Sequence, residues 1–104
     1  MIYRLKRKSD FDKLFSKGKK GFSKSLTMLY FPSNEFKIGY SVSKKHGNAV
    51  KRNKIKRLLR ASARVAFSDL KKNYRIVILP KVREEYSFDT FVADLNYLKK
   101  KENL

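Results

Sequence analysis

The stretch Lys44-Lys45-His46-Gly47-Asn48-Ala49-Val50-Lys51-Arg52-Asn53-Lys54-Ile55-Lys56-Arg57-Leu58-Leu59-Arg60 decides how this 104-residue chain is read, because nowhere else is positive charge so dense and so regularly spaced. Six of the ten residues from Lys51 to Arg60 are Lys or Arg. In an α-helix that starts near Asn48, successive side chains turn by roughly 100°, which sets Asn53, Lys56, Arg57, Arg60 and Arg64 on one narrow stripe. Ile55, Leu58, Leu59, Ser62, Val65, Ala66 and Leu70 fall opposite. The helix, expected to run to about Lys72, therefore carries a face to bury and, back to back with it, a cationic ridge.

No carboxylate occurs between Glu35 and Asp69, so nothing nearby in the sequence neutralises that ridge. Like charges at i, i+4, such as Lys56/Arg60 and Arg60/Arg64, each cost on the order of 0.2–0.5 kcal/mol, and Lys51 and Arg52 stand at the positive end of the helix dipole. A helix that accepts these penalties is read as meeting an anion. A charge run alone more often marks a solvated face. The one-sided stripe, with Asn53 inside it, favours nucleic-acid binding here.

The whole chain agrees. A net charge of +18, from 27 basic and 9 acidic residues, exceeds what solubility needs and implies a polyanionic partner. Hydrophobic residues at 41%, with 13% aromatic, still support a folded core, which excludes a disordered basic tail. The length fits one domain over 1–104. The absence of cysteine removes disulfides, thiolate zinc sites and thiol nucleophiles, and suits a reducing compartment. There is no run of about 18 apolar residues and no signal-peptide core, so a soluble cytoplasmic protein without membrane contact is expected.

Ser9 followed by Asp12 fits a capping box, and Gly18 fits a left-handed C-terminal residue, giving a short first helix with Phe11, Leu14 and Phe15 on one face. Residues 26–31 read as a strand ended by the turn cluster Pro32-Ser33-Asn34-Glu35. Residues 36–43 alternate, with Phe36, Ile38, Tyr40 and Val42 on one face, and the two strands are expected to pair as an antiparallel hairpin. Gly39, Ser41 and Ser43 would let something approach the second strand closely. Residues 74–80 read as a further strand, and Ser87 as the cap of a final helix striped by Phe88, Phe91, Val92, Leu95 and Leu98. The order α-β-β-(β)-α-β-α points to an α+β fold, a two-layer sandwich.

Independent catalysis by the polypeptide is not expected. His46 is the only histidine, and a lone loop histidine beside lysines more often faces solvent than acts as a general base. Asp10 and Asp12 are accounted for by capping, and Glu84 and Glu85 are adjacent rather than convergent, so no catalytic and no metal-ligating residue is assigned. Phe11 and Phe15, taken alone, are what an ordinary helix buries.

The run from Ser43 to Arg60 resembles the signature of the protein subunit of bacterial ribonuclease P, in which Ser-Lys-Lys-x-Gly-Asn-Ala-Val leads into a helix patterned Arg-Asn-Arg-x-Lys-Arg-x-x-Arg. Asp10-Phe11-Asp12-Lys13-Leu14-Phe15 is similar to that family's early Asp-Phe-x-x-x-Phe helix, and Leu29-Tyr30 to the end of its first strand. Two positions depart. Lys54 replaces the second arginine, keeping charge without the planar fork, and Ala61 stands where an acid or glutamine often follows.

The resemblance implies a small cofactor protein for a catalytic RNA that removes the 5′ leader from precursor tRNA, with Mg2+ held mainly by the RNA subunit. It implies that Arg52, Asn53, Lys56, Arg57 and Arg60 face the RNA subunit; Lys51, Lys54 and Arg64 of the same helix join them as phosphate-binding candidates. It also implies a leader cleft lined by Phe11, Phe15 and Tyr30, and a left-handed crossover around the basic helix, against the general right-handed preference. A monomer in a 1:1 complex with the RNA is expected. The competing reading is a non-catalytic structural RNA-binding protein of ribosomal type, which composition fits equally well. DNA is not an expected partner, since no dimer or helix-turn-helix signal is present.

Overall fold

Strand β5 (Tyr74–Pro80) is the centre of the sheet, because it is apolar on both faces: Tyr74, Ile76 and Ile78 point one way, Val77 and Leu79 the other. A strand of that composition is buried between neighbours and covered on both sides. The computed structural model, which describes residues 3–104, arranges the remaining elements around it. They are β1 (Tyr3–Arg4), α1 (Lys8–Lys17), β2 (Lys19–Phe22), β3 (Leu26–Pro32), β4 (Lys37–Tyr40), α2 (Ala49–Ala66) and α3 (Phe88–Lys101), with a 3₁₀ turn at Lys44–His46 between β4 and α2. The strand order is β1-β4-β5-β3-β2. β5 runs antiparallel to β3, from Leu26↔Pro80 to Pro32↔Tyr74, and parallel to β4, with Ile38 opposite Ile76.

Strand alternation divides the core in two. Met28, Tyr30, Ile38, Ile76 and Ile78 face α2 and α3, which contribute Ile55, Leu59, Ala63 and Ala66, and Phe91, Leu95 and Leu98. Leu29 and Val77 face α1 instead, where they bury Leu14 and Leu5 with the half-buried Phe11, Phe31 and Leu79 beside them. Side chains of this kind each stabilise the fold by about 1.5–3 kcal/mol on burial.

The connection β1-α1-β2 and the connection β4-α2-β5 both join strands that run in the same direction, and both step the same way across the sheet. Their helices lie on opposite faces. Two such crossovers have opposite hands, so one of the two departs from the general right-handed preference; the family resemblance implies that it is the one around α2.

Several local expectations are corrected. β3 and β4 do not form a hairpin; β5 inserts between them, because its two apolar faces and two rows of backbone groups need a neighbour on each side. The turn at 33–34 is instead tied to the start of β5, through Ser33 N–H to the Asn73 carbonyl and Asn73 Nδ2 to the Asn34 carbonyl. The hairpin that does form joins β2 to β3, with Lys19 opposite Tyr30 and Phe22 opposite Thr27. At the start of α1, Arg7 occupies the capping position without a side-chain bond, and Asp10 is drawn to Arg75 at 2.7 Å. Gly18 has φ −67° and is not left-handed.

α2 ends at Ala66, short of Lys72, because Phe67 turns back into the core and Lys99 Nζ donates to the Ala66 carbonyl at 2.6 Å. Ser87 caps α3 as expected, accepting from the Thr90 N–H at 3.1 Å. Among the described residues, no helix is long and apolar enough to cross a membrane.

Candidate nucleic-acid interface

The direction of α2 is set before its first turn. Ser43 N–H donates to His46 Nδ1 at 3.2 Å, which leaves the proton on Nε2 to be donated to the Pro80 carbonyl at 2.7 Å. His46 is therefore half-buried rather than free in solvent; it clasps the 3₁₀ turn to the end of β5, with its ring 6.4 Å from that of Tyr86. Gly47 follows at φ 120°, where a side chain is strained, and an added Cβ would also lie 2.8 Å from Lys51 Cδ. Asn48 Oδ1 then accepts from the Lys51 N–H at 3.0 Å and caps the helix.

From that start, Ile55, Leu59, Ser62, Ala63 and Ala66 are buried, while Lys51, Asn53, Lys54, Arg57, Arg60 and Arg64 are exposed, with Arg52 and Lys56 half-buried on one flank. The ridge is continuous. The buried arc is shifted slightly from expectation: small side chains at Ser62, Ala63 and Ala66 let the helix lie close to its neighbours, and Val65 is left 53% exposed. Ser62 Oγ turns back to the Leu58 carbonyl at 2.6 Å, so no hydroxyl is left unpaired there.

Among the described residues the ion pairs are Lys37–Glu35, Arg75–Asp10 and Lys99–Asp69, and none involves α2. The hydrogen bond from Lys99 holds the exposed Asp69 carboxyl below its usual range, so that acid stays committed to α3. The α2 cations are thus left to project their field outward. On one flank, Lys56 and Arg60 meet Arg4, Lys6, Phe11 and Tyr40 around a cleft of about 360 Å³ at the end of β4. Burial pushes the Tyr40 hydroxyl up to about 12, although Arg60, Arg64 and Arg4 pull the other way, so at neutral pH it remains a donor. On the other flank, Lys51 and Lys54 meet His46, Arg83, Glu84 and Tyr86.

The aromatic candidates separate. Phe11 and Phe15 share one stripe of α1; Phe11 lies over Gly39, where an added Cβ would be 2.5 Å from the ring, and Phe15 is 45% exposed. Something does approach the bare backbone of β4 closely, and it is Phe11. Tyr30 lies on the opposite face of the sheet, 4% exposed, edge-on to Tyr74, with its hydroxyl donating to Glu102 Oε1 at 2.7 Å. Burial and then the Glu102 carboxylate push that hydroxyl up to about 12. Tyr30 therefore cannot share a cleft with Phe11 and Phe15. The β3 aromatic on the α1 side is Phe31, half-buried beneath Lys13, whose Nζ is 5.4 Å from the ring centroid. Alternation counted from Leu26 would have identified it.

Among the described residues no three His, Asp or Glu side chains come together, and Asp10, Asp69, Asp94 and Glu102 are engaged by Arg75, Lys99, Ser25 and Tyr30. What the ridge can do is bind phosphates. Arginines supply planar donor forks and lysines compact point charges, and such contacts position a nucleic acid without reading its sequence.

Comparison with known proteins gives one answer. Residues 2–103 match the Ribonuclease P family. The chain is 36% identical to the ribonuclease P protein component of Caldanaerobacter subterraneus subsp. tengcongensis, over 99% of this chain and 91% of that one, and 38% identical to that of Clostridium botulinum (strain Eklund 17B / Type B), over 96% and 89%. The fold is similar to the Staphylococcus aureus RNase P protein, with TM-score 0.82 at 29% identity over 96% of this chain and 94% of that one. It is likewise similar to the Thermotoga maritima RNase P protein, with TM-score 0.81 at 30% identity over 93% and 96%.

Proposed function

The chain belongs to the bacterial ribonuclease P protein family, and from that premise we propose that it lays α2 on the ribonuclease P RNA and the aromatic side of α1 against the precursor tRNA leader. It is an RNA-binding component of ribonuclease P; a ribosomal-type protein is not favoured. The observation that supports this mode of action most is the uncompensated ridge of Arg57, Arg60 and Arg64, held rigidly by a buried face and a fixed N-terminus.

Each part has a chemical task. Arg57 and Arg60 fork phosphate oxygens of the RNA, with Lys51, Arg52, Asn53, Lys54, Lys56 and Arg64 extending the contact along the helix. Phe15 and the exposed edge of Phe11 offer ring faces to unpaired leader bases, worth about 1–3 kcal/mol per base whatever the sequence. Tyr30 is withdrawn from that role and Phe31 is the neighbouring aromatic on the correct face. The hydrolytic step, with its Mg2+, is assigned to the RNA subunit, a reading supported by the dispersal of the protein's carboxylates, of which Asp10, Asp69, Asp94 and Glu102 are already engaged. The protein acts as a cytoplasmic monomer, one copy per RNA, lowering the repulsion that otherwise requires high magnesium.

The test is reconstitution: a bacterial ribonuclease P RNA at low magnesium, with and without this protein, acting on a precursor tRNA. Restored leader removal is expected, and none from rigorously RNA-free protein. Metal-dependent cleavage by the protein alone would refute the division of labour. Failure to restore cleavage, with normal incorporation into ribosomes, would favour the ribosomal reading.

A further inference from the structure

We propose that Arg75 is a positioning residue for leader binding: its guanidinium, fixed on the central strand, grips Asp10 and so sets the angle at which α1 presents Phe11 and Phe15. The inference rests on the leader reading above and deepens it with two residues outside the aromatic stripe. Capping does not account for Asp10, because Arg7 holds the capping position of α1 without a side-chain bond. The Asp10 carboxylate turns instead to β5, where Arg75 Nη1 donates to its Oδ1 at 2.7 Å.

Three observations give the pair this task. The first is that α1 is thinly held: Leu14 is its buried side chain, Phe11 is half-buried, and the strand before it has only two residues. A helix seated on one buried residue can rock, and a second contact four residues away, about 6 Å along the axis, fixes its tilt. The second is the base of that contact. At Arg75, β5 is paired on both sides, opposite Phe31 of β3 and Lys37 of β4, so the guanidinium rises from the middle of the sheet. Asp10 immediately precedes Phe11, whose ring lies so near Gly39 that an added Cβ there would be 2.5 Å from it. A small change of tilt therefore moves the ring. The third is that the pair is a costly choice for stability alone. The two side chains are 26% and 13% exposed, and Arg75 Nε is buried with no partner among the described residues. Apolar groups of similar volume often stabilise such a place as well or better; the pair adds a fixed geometry. It also covers a carboxylate that, left bare beside Phe11, would repel leader phosphates.

The test assembles wild type, Asp10→Asn, Arg75→Gln, Arg75→Lys and the Asp10→Asn/Arg75→Gln double variant with ribonuclease P RNA. Affinity per folded molecule, the folded fraction being taken from a thermal melt, is measured for the RNA subunit and for precursor tRNAs with and without a leader. Asp10→Asn should weaken binding of the leader-bearing precursor by about two- to fivefold, the loss of one charge-assisted hydrogen bond at a distance from the RNA. Arg75→Gln, which also bares the carboxylate, should weaken it by about three- to tenfold. The double variant should be no worse than Asp10→Asn, and Arg75→Lys should recover most of the loss, which shows that the two residues act as a pair. Leaderless precursor and RNA subunit should bind all five proteins alike, within about twofold. Leader-dependent affinities that match wild type while the melting temperature falls would make the pair purely structural and overturn the inference. Loss in Arg75→Gln with Asp10→Asn unaffected would overturn it too, since charge alone would then matter. A wild type that gains no affinity from a leader would instead sink the leader reading on which the inference rests.

Discussion

Arg57 and Arg60 stand clear of every carboxylate among the described residues, so replacing either removes charge without stranding a partner. Arg57→Ala should therefore change the unfolding free energy by no more than about 0.5 kcal/mol. Its affinity for RNA should fall, and the salt dependence of binding should flatten by about one phosphate's contribution. Tyr30 behaves in the opposite way. Tyr30→Phe, which removes the bond to Glu102, should cost about 1 kcal/mol of stability and leave the precursor affinity of the folded protein unchanged. The pH dependence has a definite sign: a hydroxyl raised from 10.0 to about 12 on folding stabilises fully below pH 10, and that contribution is lost as pH climbs towards 12. Wild type should lose stability over that alkaline range more steeply than Tyr30→Phe. Tyr40, also raised to about 12, keeps part of the loss in both proteins. The parity of β3 was readable from Leu26 onward, and it places Phe31 rather than Tyr30 beside α1; the motif resemblance pointed to the wrong neighbour because it fixes a position in sequence, not the face of a strand.

At the scale of elements, α2 separates two functions around one axis. Leu59, fully buried, supports the fold, and Leu59→Ala should cost about 2–5 kcal/mol by chemical denaturation while the folded fraction retains its RNA affinity. Equal losses of affinity and stability would contradict that separation. The helix start was legible because Asn48 is a capping residue placed before a periodic run. Its end was not, since Lys99, distant in sequence, supplies the donor that stops it at Ala66. Strand existence was likewise legible from alternation and turn residues, but pairing was not. Nothing within residues 26–43 announces that a strand at 74–80 will separate β3 from β4; that depends on the apolar faces of β5 and on which edge each crossover reaches. The optional strand of the expected order is β2, which could not be located because Lys19-Lys20-Gly21-Phe22 shows no apolar alternation and forms through pairing with β3, while the two-residue β1 had no counterpart in that order.

The whole molecule carries a charge of +18 on a fold that leaves the α2 ridge without counter-ions. Self-repulsion of that size loosens a folded state, and an anion that binds only the folded form restores it by mass action. Pyrophosphate should raise the melting temperature beyond chloride at matched ionic strength; equal melting temperatures would argue against a preformed anion site. The topology serves the same end, since placing α1 and α2 on opposite faces of one sheet leaves a cationic and aromatic edge between them at the end of β4. The most direct measurement is the affinity of the ribonuclease P RNA for wild type and for the Arg57→Ala, Arg60→Ala, Arg64→Ala triple variant, followed across chloride concentration. Loss of three phosphate contacts should reduce the slope of log affinity against log salt by roughly 2–3. An unchanged slope, with the variant folded, would mean that the ridge does not lie on RNA.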